Sequence, residues 1–188
     1  QYYATLKQDN STFLTGMQYN AQLEPQQFIR EEVVKNGMLL ADTYLYHTDS
    51  LGKQQQVPID IQSGNIFPFE AKDSSIVYLY KIQWEAPSDS LKITNTLIKN
   101  RRFQGWSSFT YQNKTYDCAE FSVLDLIDNE IEGQGHLEIE MKGKELYAKG
   151  IGLVYYEKAE VHGSFSQAYQ LVDIYSMEKL TEKLEELK

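Results

Sequence analysis

Residues 137–141 read Leu137-Glu138-Ile139-Glu140-Met141, and every second residue of this stretch is apolar. A β-strand directs successive side chains to opposite faces. The alternation therefore predicts a strand with its apolar face on a core and its carboxylates in water, as in an antiparallel sheet with one solvated side. Residues 76–84 begin as a continuous apolar run and then alternate in the same way. They predict a central strand that enters from a region covered on both faces.

The composition agrees with a strand-rich globular domain. Hydrophobic residues make up 41% of the 188 residues and aromatic residues 13%, led by 14 tyrosines, which is typical of strands on half-buried pleated surfaces. The length predicts a single domain over residues 1–188, because a typical domain has roughly 150 residues. The chain has enough apolar residues to bury a core of its own.

Turn signals divide the chain into segments of strand length. The pair Asn36-Gly37 predicts a tight hairpin, since both residues tolerate the positive φ angles that such a turn needs. A helix over residues 25–35, with Pro25 in its first turn, is the competing interpretation. The further turn signals are Asp49-Ser50-Leu51-Gly52, Ser63-Gly64-Asn65, Pro87-Ser88-Asp89, Gln112-Asn113-Lys114, Glu132-Gly133-Gln134-Gly135, Lys142-Gly143-Lys144 and His162-Gly163. About ten strands result, which predicts a mainly β protein with a large curved antiparallel sheet, a half-barrel or a barrel.

In the last twelve residues, 177–188, the apolar side chains follow the spacing of a helix rather than that of a strand. Four apolar side chains fall on one helical stripe, and they are Met177, Leu180, Leu184 and Leu187. The pattern predicts a C-terminal α-helix over residues 177–188, capped by Ser176. The favoured interpretation is that this helix closes the open side of the sheet, and the alternative is that it docks a partner.

The charge balance excludes some partners. The chain has 27 acidic and 18 basic residues and a net charge of −9, which opposes attraction to nucleic acid phosphates and anionic lipid surfaces. No stretch approaches the roughly 20 apolar residues of a membrane span, so no transmembrane span is predicted. The sequence starts at Gln1 rather than Met, for which export with loss of a leader is one explanation.

Two groups of residues have metal-ligand chemistry. His136, Glu138 and Glu140 share one strand face, but the alternation already explains them as a solvated polar face. The second group precedes Gly133 and offers oxygen ligands for calcium, although its spacing misses the calcium-loop pattern; it comprises Asp125, Asp128, Asn129, Glu130 and Glu132. We therefore predict no metal and no cofactor.

Other chemistry-bearing residues also have a structural interpretation. Lys99, Arg101 and Arg102 precede Phe103 and Trp106, a mixture that suits an anionic group, but a solvated strand end is the favoured interpretation.

The single cysteine, Cys118, lies inside a predicted strand and is interpreted as a small packing residue. The nucleophile elbow, the P-loop and the dinucleotide fingerprint are all absent, so we predict no catalytic residues. The rival hypothesis is a carbohydrate-active hydrolase that uses carboxylates between residues 125 and 140.

The segment Tyr147-Ala148-Lys149-Gly150-Ile151-Gly152-Leu153-Val154 has two glycines between two predicted strands, which permits a tight, close-packed crossing. It resembles the signature of a family of exported β-proteins of unknown function in Gram-negative envelopes, many of them lipoproteins. Tyr147, Gly150, Gly152 and Leu153 carry this motif, and the resemblance covers roughly residues 66–176. Members of this class resemble lipoprotein carriers of the LolA and LolB type, in which a curved antiparallel sheet surrounds an apolar cavity.

The resemblance implies a non-catalytic protein of the periplasm or outer membrane, exported and lipid-anchored. By this analogy, aromatic strand residues line a groove for a lipid or another apolar or amphipathic ligand. A structural interaction module of a cell-surface assembly, acting through the terminal helix, is the other non-enzymatic hypothesis. The sequence names no ligand-binding residue, no partner protein and no oligomeric state.

Overall fold

The computed structural model describes residues 2–49, 51–88 and 91–186. It is mainly β, with 69% strand and 5% helix, which confirms the predicted fold class. The strands are β1 (Tyr2–Gln8), β2 (Ser11–Tyr19), β3 (Pro25–Val34), β4 (Gly37–Thr48), β5 (Gln54–Pro58), β6 (Asp60–Pro68), β7 (Tyr78–Glu85), β8 (Ile93–Tyr111), β9 (Lys114–Ile131), β10 (Gly135–Ala148), β11 (Gly152–Glu160) and β12 (Ser166–Gln170). One helix, α1 (Met177–Glu186), follows them.

The strands form an antiparallel meander in the order β1-β2-β3-β4-β6-β7-β8-β9-β10-β11-β12, with β5 paired to β4. Strand β6 joins the two halves of the sheet, because its last residues pair with β4 and its first residues pair with β7. Strand β7 therefore lies in the middle, as residues 76–84 predict. Among the described residues, β1 and β12 each have one neighbouring strand and do not pair with each other, so the sheet is open.

The hairpin predicted at Asn36-Gly37 forms, and the competing helix over residues 25–35 is wrong. Val34 pairs with Gly37, so Lys35 and Asn36 are the two turn residues, one position earlier than predicted. The glycine has a different role, because a Cβ atom at position 37 would lie 2.4 Å from the carbonyl oxygen of Phe67. It lets β6 approach β4 closely at the junction between the two halves.

The sheet curls strongly. The rings of Phe67 on β6 and Tyr147 on β10 have centroids 4.4 Å apart, and those of Phe67 and Phe121 on β9 lie 5.6 Å apart. In a flat sheet, strands four positions apart would be separated by roughly 19 Å. The sheet must therefore bend until these rings meet, and they lie on its concave face.

Two apolar clusters occupy opposite faces of the sheet. The concave cluster is centred on Phe121, which is fully buried against Tyr78, Phe103 and Tyr147. The convex cluster consists of Cys118, Leu146, Ala148 and Val154, and Leu171 packs against it. Cys118 is 0% exposed, which confirms its interpretation as a packing residue.

The core face predicted for residues 137–141 is only partly correct. Met141 is buried and Ile139 half-buried, but Leu137 is 58% exposed. Leu137 lies near the tip of the β9–β10 hairpin, where its side chain remains in contact with water.

Helix α1 begins where predicted. The hydroxyl of Ser176 accepts a hydrogen bond from the backbone N–H of Lys179 at 3.4 Å, as a cap should. Met177 is exposed and Leu180 only half-buried, so the described part of the helix does not close the open side of the sheet. Leu187 lies outside the described residues, and the side chain of Leu184 is not described either.

Candidate functional site

Five charged side chains meet on the concave face where β8, β9, β10 and β11 lie side by side, and we call them the charged band. They are Lys99, Arg101, Asp125, Glu145 and Lys158. Four of them share a face with Phe103, Phe121 and Tyr147, because each lies two or four residues from one of these aromatics on the same strand. Lys158 lies on this face too, since it pairs with Gly143, four residues before Tyr147. Their side chains are 3–15% exposed, so the charges lie inside the curl of the sheet.

Glu145 is the centre of one half of the charged band. Its Oε1 atom accepts a hydrogen bond from Lys99 Nζ at 3.0 Å, and its Oε2 atom accepts one from Arg101 Nε at 2.6 Å. The hydroxyl of Tyr147 donates a third hydrogen bond to Oε2 at 2.8 Å. Three donors from two strands therefore hold this buried carboxylate, which is what an ionised group needs away from water.

Asp125 is the centre of the other half. Its Oδ2 atom accepts a 2.5 Å hydrogen bond from Lys158 Nζ and lies 3.8 Å from Lys99 Nζ. Its Oδ1 atom is buried and has no hydrogen-bond partner among the described residues. Lys99 lies between the two carboxylates and links both halves electrostatically.

Gly143 allows the charged band to form. Lys158 and Asp125 belong to β11 and β9, and β10 runs between them with Gly143 directly opposite Lys158. A Cβ atom at position 143 would lie 1.8 Å from the carbonyl oxygen of Glu157, so β11 approaches β10 more closely than a side chain permits. The glycine also leaves the space above β10 through which Lys158 reaches Asp125.

The environment shifts the pKa values of the group. Burial opposes ionisation of Glu145, but Lys99 and Arg101 together hold the pKa of its carboxyl well below the usual range. Burial lowers the pKa of Lys99 to about 8 although Glu145 favours its charged form. Burial also raises the pKa of Glu31 on β3, while the charge of Arg101 acts in the opposite sense.

An aliphatic band lies beside the charged band. Four side chains form a row across β7, β8, β9 and β10, and they are Ile82, Leu97, Ile127 and Ile139. Ile82 is buried and the other three are half-buried. Ile127 follows Asp125 by two residues on the same face of β9, so the two bands are roughly 7 Å apart.

The charged band differs from the carboxylate pair of a glycosidase. Both carboxylates of the charged band are bound to cationic side chains, whereas a glycosidase needs one carboxyl with a raised pKa. The pKa of Glu145 is shifted in the opposite direction. With three cationic and two anionic side chains, the band carries an excess of one positive charge. Such a band can position a polar group.

The interpretation of Lys99 and Arg101 as a solvated strand end is wrong. Strand alternation directs both side chains to the concave face, where they are buried, and directs Arg102 outward into solvent. Phe103 is buried in the concave cluster, whereas Trp106 is 72% exposed at its border. The positive charges therefore meet acidic partners inside the sheet.

The candidate metal residues do not come together. Within residues 2–49, 51–88 and 91–186, no group of three or more His, Cys, Asp and Glu side chains is placed to hold a metal ion. His136 Nδ1 lies 3.1 Å from Asp128 Oδ1 near the exposed end of the β9–β10 hairpin. Asp125, from the calcium hypothesis, is engaged by Lys158 instead.

The glycine motif positions the last strand of the site. Gly150, in the connection from β10 to β11, and Gly152, the first residue of β11, adopt φ angles of 78° and 102°, which glycine reaches without strain. Tyr147 lies in the concave cluster and also binds Glu145, while Leu153 is half-buried opposite Tyr147. The motif thus forms the turn after which β11 pairs with β10 and brings Lys158 to the charged band.

Glu145 and Lys158 were not recognised from the sequence as site residues, and Asp125 was considered only for metal or hydrolase chemistry. A signal existed: Lys99 and Arg101 stand at alternate positions of one predicted strand, and Glu145 offers the opposite charge on another. Their pairing across the sheet depends on register, which the sequence alone does not provide.

A polar groove of about 520 Å³ lies away from the concave face. It is lined by Gln112 and by residues that precede or belong to α1, namely Asp173, Ile174, Tyr175, Lys179, Glu182 and Lys183. Its lining lacks the buried apolar side chains that a site for an apolar ligand needs.

Comparison with known proteins gave no match to a family model, a curated protein or a solved structure.

In the described part of the chain, no helix has the length and apolar character to cross a membrane.

Proposed function

We propose that this protein is a non-catalytic envelope protein that binds an amphipathic ligand on the concave face of its sheet. The observation that carries the proposal is that the aliphatic band and the charged band lie side by side on the concave face of the sheet. The aliphatic band is half-buried and suits an apolar chain, and the charged band beside it suits a polar head group.

The dimensions of the aliphatic band fit an extended chain. Neighbouring strands lie about 4.8 Å apart, so its four side chains extend over roughly 14 Å across the sheet. Leu97, Ile127 and Ile139 retain partial exposure, and a bound acyl chain would remove this apolar surface from water.

The test compares two neighbouring residues on opposite faces of β9. Ile127→Gln places a polar group in the aliphatic band, and Leu126→Gln makes the same change on the convex face. Binding is measured by displacement of a fluorescent fatty acid from the purified protein, with folding checked by circular dichroism. We expect Ile127→Gln to weaken binding at least about tenfold, because a polar group would have to be buried against the chain.

Leu126→Gln should leave the affinity within about threefold of the unchanged protein. Equal loss in both folded variants would contradict the proposal, as would failure of the unchanged protein to bind either a fatty acid or its uncharged glycerol monoester.

The proposed location is the periplasm or the outer membrane, with export and lipid anchoring. It is supported by the resemblance of residues 66–176 to exported envelope proteins. Fractionation of source cells, with detection of the protein in each fraction, tests this location directly.

A structural role in an assembly is the second candidate. The chain exposes 12,470 Å², whereas a compact monomer of its mass exposes roughly 9,300 Å². The outer edges of β1 and β12 also have no paired strand among the described residues. Light scattering over a concentration series tests this candidate, since a module that assembles with itself would gain mass at high concentration.

A further inference from the structure

The buried Oδ1 atom of Asp125 indicates what kind of head group the site accepts. The residue is 2% exposed, and this oxygen has no hydrogen-bond partner in the described part of the chain. A carboxylate oxygen only accepts hydrogen bonds, and leaving one unpaired away from water is costly. A ligand that brings a donor to this atom would remove that cost.

Hydrogen-bond donors stand beside the same atom. The ammonium group of Lys158 carries three N–H donors, and its one hydrogen bond within the described residues goes to Asp125 Oδ2. Lys99 Nζ, which binds Glu145, lies 3.8 Å from that Oδ2 atom. The site therefore offers an acceptor and a donor to one incoming polar group.

The three common head-group chemistries differ in how they meet this pair. A carboxylate or phosphate dianion accepts hydrogen bonds but brings no donor to Asp125 Oδ1. An ammonium group donates, but it would meet three cationic side chains, Lys99, Arg101 and Lys158, which outnumber the two carboxylates of Asp125 and Glu145. A hydroxyl both donates one hydrogen bond and accepts others.

We infer that the ligand has an uncharged, hydroxyl-bearing head group, such as a glycerol or sugar, whose hydroxyl donates to Asp125 Oδ1 and accepts from Lys158 Nζ. This inference rests on the proposed function, because it assigns the head group of the amphipathic ligand. Ile127 lies two residues beyond Asp125 on the same face, so a chain on the aliphatic band places its head beside this pair.

The test uses three probes with the same ten-carbon chain: the glycerol monoester of decanoic acid, methyl decanoate and decanoate. Their affinities for the full chain are measured directly by isothermal titration calorimetry, below the concentration at which any of them aggregates. We expect the glycerol monoester to bind at least about tenfold more tightly than methyl decanoate, because only its head carries the hydroxyl donor.

A variant localises the effect. Asp125→Asn replaces the carboxylate, and it should reduce the preference for the glycerol monoester over methyl decanoate to less than about threefold. If this variant does not fold, the three-probe comparison on the unchanged protein decides the question alone.

The outcomes separate the two proposals. Equal binding of methyl decanoate and the glycerol monoester overturns the inference and leaves the proposed function standing. Tighter binding of decanoate than of the glycerol monoester also overturns it, since the head site would then select an anion. Failure of all three probes to bind contradicts both proposals.

Discussion

Lys158 Nζ lies 2.5 Å from Asp125 Oδ2, although the two residues belong to strands that are separated by β10. The contact crosses the concave face above Gly143 and ties β11 to β9 through side chains, in addition to the backbone ladder that each strand forms with β10. Removing one partner from such a buried pair leaves a charge without compensation. The charged band should therefore govern both the stability and the pH response of the protein.

Glu145→Gln should destabilise the fold strongly. The change removes the negative charge that Lys99 and Arg101 share, and both cations would remain buried without it. We expect a loss of about 3 kcal/mol in the free energy of unfolding, measured by urea denaturation at pH 7.

The matched control is Glu157→Gln on β11. Glu157 pairs with Lys144 at 3.6 Å, and both side chains are more than 40% exposed, so this surface pair should contribute less than about 1 kcal/mol. Equal losses in the two variants would show that the charged band is not the stabilising element that its burial indicates.

The stability should fall in acid because of Glu145. Its pKa in the folded protein lies below the ordinary value of 4.5, so the unfolded chain binds more protons between these two values. The contribution of Glu145 is therefore fully present above pH 4.5 and is lost as the pH falls through the folded pKa. Urea denaturation between pH 6 and pH 3 should show a steeper loss for the unchanged protein than for Glu145→Gln.

Glu31 affects the pH dependence of stability in the opposite direction, and it does so over a different pH range. Because the pKa of Glu31 is raised, the folded protein binds more protons than the unfolded chain above pH 4.5, so this contribution to stability falls as the pH rises. The unchanged protein and Glu145→Gln both contain Glu31 and share this contribution. Identical pH slopes for the two proteins below pH 4.5 would rule out a lowered pKa for Glu145.

Gly143→Ala should disrupt the close pairing of β10 with β11. The added Cβ atom would lie 1.8 Å from the carbonyl oxygen of Glu157, so the strands must move apart. We expect a loss of about 3 kcal/mol in the free energy of unfolding. Lys142→Ala on the same strand is the control, since Lys142 is 65% exposed and should change the stability by less than about 0.5 kcal/mol. A Gly143→Ala protein as stable as the control would contradict the close approach of the strands.

Cys118 should be unreactive in the native protein. Its side chain is 0% exposed in the convex cluster, and burial raises the pKa of its thiol, so little thiolate is available at neutral pH. We expect slow reaction with a thiol reagent in buffer and complete, rapid reaction in urea. Rapid labelling of the folded protein would show that the convex cluster opens or does not form.

Much of the fold follows from local patterns in the sequence. The period of two in residues 76–84 predicts a central strand, and β7 lies in the middle of the sheet. The turn signal Gln112-Asn113-Lys114 coincides with a turn in which Gln112 and Asn113 both have positive φ. These features depend on neighbouring residues, which is why the sequence reveals them.

The curl of the sheet and the charged band depend on distant residues. Arg101 and Glu145 are 44 positions apart, and they meet because β9 runs between their strands in one particular register. Phe67 meets Tyr147 only after the sheet has bent. No local pattern encodes these distances, so Lys99 and Arg101 were expected in solvent although they are buried.

The most direct test of the concave binding site is methyl NMR of the protein labelled at isoleucine, titrated with the glycerol monoester of decanoic acid. Ile127 and Ile139 lie on the concave face, and Ile98 lies on the convex face of the neighbouring strand. We predict saturable shifts of the Ile127 and Ile139 methyl signals, with the Ile98 signal unchanged. Shifts confined to Ile98, or no shift of any of the three at saturating ligand, would contradict a ligand site on the concave face.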